Sequence, residues 1–361
     1  MQKNIYFVVL DLHTTDRDKI IQLFKDWTDY SAKLVEGELV KKDGQNALFP
    51  PSDTGETVGL NPHRLTLTFG VSASFLKRMN LENKRPRLFR DLPLFPKEQL
   101  REKYTGGDIV IHACADDEQI AFHAIRNLIR KGRNAVPLRW SQSGFAAIGD
   151  RMETPWNLFG FKDGTANPTK EQDFDRVIWA DSKDWMENGS YMAVRRIQMF
   201  LETWDRTSLE EQENTFGRYK ESGAPFGKKN EFDEVDLSLL PDDSHVCLAK
   251  EVDKPLLRRS YSYSDGIDEK TGQFDTGLLF ISFQKDPDNF VKVQTNLGAT
   301  DKMNEYITHI GSGLLLALVV WRKEATLVRN YWKAKSWLLV LALSFLILSP
   351  AGAQESLSFS L

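Results

Sequence analysis

Three side chains stand out by type and setting. Asp163 lies in Phe159-Gly160-Phe161-Lys162-Asp163-Gly164-Thr165, a single carboxylate between glycines, and Ala166-Asn167-Pro168 follows. The glycines allow a tight turn and let a flat ligand approach the backbone. Pro168 stops whatever precedes it. A carboxylate in a dry pocket can carry a proton at a useful pKa. His245, in Ser244-His245-Val246-Cys247-Leu248-Ala249, offers an imidazole, a common metal ligand. Arg258, in Leu256-Leu257-Arg258-Arg259-Ser260-Tyr261-Ser262-Tyr263, is a permanent cation that can stabilise developing negative charge. Singly, each has a plainer reading. Asp before Gly is a common turn former. His245 is one of six histidines, and His13, His63, His112, His123 and His309 all read as structural or solvent residues. An isolated Arg belongs on a surface or in an ion pair.

Taken in that order and in those settings, the three resemble the dye-decolourising peroxidase family, most closely its bacterial deferrochelatase/peroxidase branch, whose members bind haem b. The resemblance runs from about Ile5 to about Leu318. Further matching pieces are Pro50-Pro51-Ser52-Asp53-Thr54-Gly55-Glu56, Leu65-Thr66-Leu67-Thr68-Phe69-Gly70, Trp204-Asp205-Arg206-Thr207 and Phe216-Gly217-Arg218. It implies one haem b per chain, with His245 as the axial iron ligand and Asp163 and Arg258 as the catalytic pair. It implies an acidic partner for His245 near the end of the second half, where Asp301 and Glu305 are both candidates. The backbone N–H groups of Gly164, Thr165 and Ala166, together with Asn167 and Arg258, are the implied contacts of the haem propionates. Lys250-Glu251-Val252 stands where relatives carry Asn-Pro-Arg, which leaves a contact there open.

The implied activity is reduction of hydrogen peroxide coupled to oxidation of dyes, phenols or ferrous iron. Two alternatives stand beside it: release of iron from haem with the porphyrin intact, and haem storage without catalysis. The implied partners are peroxide, a reducing substrate, components of an iron-uptake system and a second copy of the chain. The resemblance implies a cell-envelope or extracytoplasmic location. Residues 1–4 show no basic segment followed by an apolar run, so no N-terminal export signal is read there, and a cytoplasmic location is the alternative.

Positioning these residues requires a large core, and 361 residues with 41% apolar and 27% charged content supply one. A net charge of −4 gives no electrostatic case for nucleic acid. Cys114 and Cys247 are far apart and form no CxxC, so both read as small buried hydrophobes. Periodicity predicts strands over 5–12, 64–70 and 108–114, with helices over 16–30 and 117–131. It predicts a second series with strands over 190–199, 243–249 and 276–284, and helices over 208–216 and 287–297. Two similar halves of this kind suggest an α+β fold with two ferredoxin-like units. The family implies that their sheets pack face to face as a dimeric α+β barrel within one chain, with halves at 1–155 and 156–321.

Segments 42–62 and 219–242 are rich in Gly, Pro, Asp and Lys and read as long loops, the first an ordered wrap and the second a mobile excursion. Trp140, Trp156, Tyr261 and Tyr263 lie near the motifs, and core packing is their first reading over electron relay to large substrates. The barrel is expected to close over 311–318. Beyond it, Arg329, Lys333 and Lys335 precede an apolar run over 337–348 and then Ala351-Gly352-Ala353. That is the order of a secretory signal, so 322–361 reads as a joined downstream segment. A membrane anchor and a buried terminal helix are the rival readings.

Overall fold

The computed structural model describes residues 1–42, 47–148, 154–181, 185–269 and 271–318. The expected tail over 322–361 lies outside the described residues. The N-terminal half runs β1 (Asn4–Leu10), α1 (Arg17–Leu34), β2 (Thr66–Val71), α2 (Ala73–Arg78), β3 (Ile109–Ala115), α3 (Glu118–Gly132) and β4 (Leu138–Phe145). The C-terminal half runs α4 (Glu171–Val177), β5 (Ser190–Met199), α5 (Leu201–Trp204), α6 (Leu209–Phe216), α7 (His245–Val252), β6 (Leu257–Arg258), β7 (Tyr261–Ile267), β8 (Phe274–Gln284), α8 (Pro287–Thr300) and β9 (Ile307–Leu318).

Local sequence explains the helix boundaries. Asp16 accepts hydrogen bonds from the N–H groups of Asp18 and Lys19 and so starts α1. Asp117 and Ser208 cap α3 and α6 in the same way. Gly217, at φ +80°, ends α6 in the left-handed conformation that glycine adopts without penalty. In α1, Ile20, Leu23, Phe24 and Trp27 are buried at helical spacing.

The strands pair antiparallel in the order β4-β1-β3-β2 in the first half and β7-β8-β5-β9 in the second. Numbered within each half, both sheets read 4-1-3-2, the order of a ferredoxin-like unit. Two seams join them: β2 with β9, from Phe69 opposite Leu318 to Val71 opposite Leu316, and β4 with β7, at Phe145 opposite Ser262. The eight strands therefore close a ring, and β6 adds a short ninth strand beside β8. The expected α+β barrel of two ferredoxin-like halves is present.

One core lies inside the ring, where Phe7, Val9 and Trp140 meet Met192, Val194 and Leu279. A second lies between α1, α3 and the outer face of β1–β3. The corresponding layer on the second half packs Ile197 and Leu278 against Phe159, Phe161, Trp204 and Phe216.

Arg196 is buried inside the ring. Its guanidinium lies between the rings of Tyr104 and Tyr263, at 4.2 and 4.1 Å from their centroids. It bonds Asp265 at 2.8 Å and Gln142 at 2.7 Å. Gln142 belongs to the first sheet and Asp265 to the second, so one cation rivets the two halves together. Replacing Arg196 by Ala leaves the buried Gln142 Oε1 without its donor and takes the cation from the more exposed Asp265. We expect a loss of about 1–3 kcal/mol in urea unfolding, the scale for a buried acceptor left unsatisfied.

The two long loops are both tied down. In the first, Asp53 accepts from the N–H groups of Val40 and Gly55 and from His123 Nε2, all at 2.8 Å. Burial pushes the Asp53 carboxyl up, but these bonds outweigh it and hold the pKa below the usual 3.8. A depressed folded pKa stabilises above the unfolded value and is lost as pH falls through the folded one. Asp53→Asn is expected to cost about 1.5–3 kcal/mol near neutrality. Its deficit against the parent should shrink below about pH 4, as read by denaturant unfolding across pH.

In the second loop, Arg218 Nη1 donates to the carbonyls of Gly223 and Glu231 at 2.6 and 2.9 Å. The segment expected to be a mobile excursion is thus gathered around one guanidinium.

Candidate active site

The cross-strand register sets the floor of the site. Arg258 on β6 lies opposite Ser282 on β8, and Ser282 lies opposite Ala193 on β5. Cross-strand partners share a face, so Arg258 projects from the outer face of the second sheet. Ile197, Leu278 and His309 belong to that same face. The Asp163 turn and the start of α7 lie over it. Phe161, two residues before Asp163, stacks on Phe216 at 3.9 Å and 4°. Phe216 in turn sits 6.4 Å from the His245 ring. A shared aromatic wall therefore brings together three residues that the sequence spreads over 96 positions, from 163 to 258.

Asp163 and Arg258 form an ion pair, Nη1 to Oδ1 at 3.4 Å, with side chains 26% and 17% exposed for Arg and Asp. Both remain reachable by a small molecule. The Asp163 N–H is fixed to the Pro155 carbonyl at 2.8 Å. Gly164 follows at φ +124°, which only glycine takes without strain. Asn167 then reaches β6 with both ends of its amide. Oδ1 accepts from the Arg258 N–H at 2.9 Å, and Nδ2 donates to the Arg258 carbonyl at 2.8 Å. The sequence reading put Asn167 against a propionate. Here Oδ1 and one Nδ2 N–H hold the backbone of Arg258, which fixes where that side chain starts.

The main-chain N–H groups of Gly164, Thr165 and Ala166 have no acceptor among the described residues. Three consecutive free donors in a glycine turn suit an anion. The Thr165 hydroxyl donates to Glu231 Oε1 at 2.7 Å, which ties the turn to the loop around Arg218.

The sequence reading placed His245 in a strand over 243–249, and this is corrected: His245 is the first residue of α7. Ser244 is in the extended conformation of an N-cap, and its carbonyl accepts from the Leu248 N–H at 3.1 Å. Cys247 and Leu248 are buried, Val246 and Val252 are partly so, and Lys250 is exposed. A one-turn run of apolar residues fits strand and helix equally, and packing on α8 decides. Lys250-Glu251-Val252 forms the last turn of α7, and Glu251 meets Asn296 of α8 at 3.3 Å.

Between the two acidic candidates, the geometry selects Asp301. His245 Nδ1 lies 2.7 Å from Asp301 Oδ2. Asp301 is 3% exposed, and its Oδ1 accepts from the Met303 N–H at 2.8 Å. Glu305 is exposed. With Nδ1 donating to the carboxylate, Nε2 carries the free lone pair and is the nitrogen left available to a ligand.

Sequence reasoning missed Glu231, which braces the turn, and a buried polar cluster on the same sheet face. Arg195 bonds Glu98 at 2.5 Å and Ser312 at 2.6 Å. Burial pulls its pKa below the ordinary value, against the pull of Glu98. His309 is nearby, and burial, with Arg195 and His245 adding to it, lowers its pKa to about 3. The available signal was the Arg195-Arg196 pair in the middle of a strand whose ten residues are all buried.

Of the four aromatics singled out, Trp140, Tyr261 and Tyr263 are buried. Trp156 is 36% exposed, with Lys162 Nζ 4.4 Å above its ring, beside the Asp163 turn. Both cysteines are buried and free. Among the described residues no group of three His, Cys, Asp or Glu side chains could hold a bare metal ion, and no helix is long and apolar enough to cross a membrane.

The models of the Dyp-type peroxidase N-terminal and C-terminal domains match residues 1–146 and 154–322. The chain belongs to the DyP-type peroxidase family. Among the relatives of this DyP-type peroxidase, the deferrochelatase of Escherichia coli K12 is 36% identical, over 88% of this chain and 80% of its own. The deferrochelatase of Yersinia pseudotuberculosis is 36% identical, over 88% and 78%. Among solved structures, ferric DtpA from Streptomyces lividans aligns with a TM-score of 0.81 and 35% identity, over 88% of this chain and 89% of that one. A DyP-type peroxidase from Cellulomonas bogoriensis aligns at 0.80 and 30%, over 90% and 91%. This DyP-type peroxidase is accordingly a haem-dependent enzyme, and the residues above are its candidate catalytic set.

Proposed function

We propose that the chain binds one haem b through His245 and reduces hydrogen peroxide, oxidising dyes, phenols or ferrous iron. The observation that carries this reading is the pairing of two devices over one sheet face: the His245–Asp301 dyad and the Asp163–Arg258 ion pair. The donor set fits haem. It supplies one imidazole with its second nitrogen already engaged, free N–H groups at Gly164, Thr165 and Ala166 for a carboxylate, and an apolar wall built on Phe159, Phe161 and Phe280.

Haem, when bound, supplies the redox centre that accepts the oxidising equivalents of peroxide. The protein handles the protons and the charge. Asp163 holds a proton at its carboxylate and moves it from one peroxide oxygen to the other. Arg258 offers a fixed cation where negative charge builds as the O–O bond lengthens. Asn167 and Pro155 hold these two groups in register. Asp301 keeps His245 in the Nδ1–H tautomer and raises the basicity of Nε2.

The test is haem-supplemented expression followed by assay. A Soret band together with peroxide-dependent oxidation of a phenol is expected. A haem-loaded protein with no such turnover at acidic or neutral pH refutes the reading.

The deferrochelatase relatives favour a second activity at the same site, iron release with the porphyrin intact. Free protoporphyrin after incubation with haem supports it, and unchanged haem counts against it. A role beside iron uptake, an extracytoplasmic location and a homo-oligomeric state go with that reading. Cell fractionation and sedimentation test the last two.

A further inference from the structure

The N-terminal half holds a second concavity. The core under α1 and α3 draws residues from β1, β2 and β3 but none from β4. The outer side of β4 is therefore left beside α3 without a helix over it. A cavity of about 570 Å³ lies there, between α3, β1, β4 and the segment 51–54. That is within the usual range for a small-ligand site, roughly 300–1,000 Å³.

Its floor is apolar. Tyr6 and Val8 come from β1, Ile125 and Ile129 from α3, and Phe122 and Leu138 stand exposed at 40% and 49%. The rings of Phe122 and Tyr6 are 5.2 Å apart and tilted by 53°, so they touch and present one continuous aromatic surface to the cavity. Its charge is of one sign. Arg126, Arg130 and Arg133 all line the cavity, and no carboxylate does. They stand at i, i+4 and i+7, a single row along the helix.

Their existing partners leave charge to spare. Arg126 meets Glu56 at 3.1 Å with its own side chain 53% exposed. Arg130 donates to the Pro51 carbonyl, a neutral acceptor. Arg133 makes no ion pair or hydrogen bond with any described residue. The helix dipole favours cations in a last turn, which accounts for Arg130 and Arg133 being basic. It does not account for an exposed Phe and Leu beside them. Like charges four apart on a helix also cost stability.

We propose that this cavity binds a small planar aromatic anion, a ring system carrying a carboxylate or sulfonate. The ring would lie against the exposed aromatic surface of Phe122 and Tyr6, and the charged group would take the guanidinium forks of Arg126 and Arg133. None of the lining residues belongs to the haem site, so the inference stands or falls separately from the proposed function.

The test uses the haem-loaded full chain, titrated with 8-anilinonaphthalene-1-sulfonate by fluorescence, and with the uncharged N-phenyl-1-naphthylamine as control. Saturable one-to-one binding of the sulfonate is expected. Arg126→Gln with Arg133→Gln should weaken it about tenfold or more, with little change for the neutral probe. Competition by naphthalene-2-carboxylate and by naphthalene-2-sulfonate ranks the two anionic groups. Arg133→Gln alone, at an exposed position, should weaken binding about threefold, which keeps the test decisive if the double variant folds poorly. Absence of saturable binding overturns the proposal. So does equal affinity in parent and variants, which would place the probe elsewhere. A dimer that buries this face, dissociating in the double variant, would make a second copy the occupant and overturn it too.

Discussion

Replacing Arg258 by Leu is expected to slow peroxide cleavage on the order of 10²- to 10³-fold with haem retained, the scale for losing one preorganised donor to developing charge. Three facts set this expectation. The guanidinium reaches Asp163 at 3.4 Å, so it stands beside the group proposed to carry the proton. The Asn167 amide grips its backbone from both sides, so the substitution should not move β6. Leu also keeps most of the side-chain bulk, so the pocket stays closed to extra water. Rapid mixing of the haem-loaded variant with peroxide measures the step directly. An unchanged rate removes Arg258 from the chemistry. Arg258→Lys should fall between the two, because it keeps the charge and loses the planar fork. Asn167→Ala should give a smaller loss, about tenfold, through misplacement of Arg258 rather than loss of charge.

His245→Ala should abolish stable haem binding, and Asp301→Asn should weaken it about 10- to 100-fold. The two effects have different origins. His245→Ala removes the ligating nitrogen and leaves the Asp301 carboxylate, 3% exposed, without its imidazole partner. Asp301→Asn leaves the imidazole in place. The amide still accepts from Nδ1–H through its oxygen, but it carries no charge to raise the basicity of Nε2. Haem content, the Soret spectrum and the rate of haem transfer to apomyoglobin read both variants. Parent-like content and spectrum in His245→Ala would rule out the ligand assignment. A parent-like transfer rate in Asp301→Asn would confine Asp301 to a structural role. Added imidazole should restore part of the parent spectrum to His245→Ala and none to a variant that has lost its fold.

Much of the barrel was legible in the sequence because its strands announce themselves locally. The strands over 5–12 and 108–114 are largely apolar runs bounded by turns or caps, the strand over 190–199 opens on the apolar stretch Tyr191 to Val194, and the helix starts at Asp16, Asp117 and Ser208 carry side chains well suited to capping. Those are short-range physics, decided by neighbours in the chain. The Asp163 turn was legible for the same reason, since its glycines mark backbone conformations closed to other residues.

What only the tertiary structure decided depends on partners far off in sequence. His245 looked like part of a strand because Val246 to Ala249 is a short apolar run. It is a helix start because Cys247 and Leu248 are buried from that backbone and α8 lies alongside. Asp301 and Glu305 are chemically equivalent in the sequence, and just over one turn of 3-10 helix separates a carboxylate 2.7 Å from His245 from one in solvent. Asn167 is read in the sequence only as a ligand contact, and its clamp on Arg258 is seen only in the fold, because β6 returns to it from 91 residues away. Periodicity places a side chain on a face. Which group stands opposite that face is settled only when the two sheets close on each other.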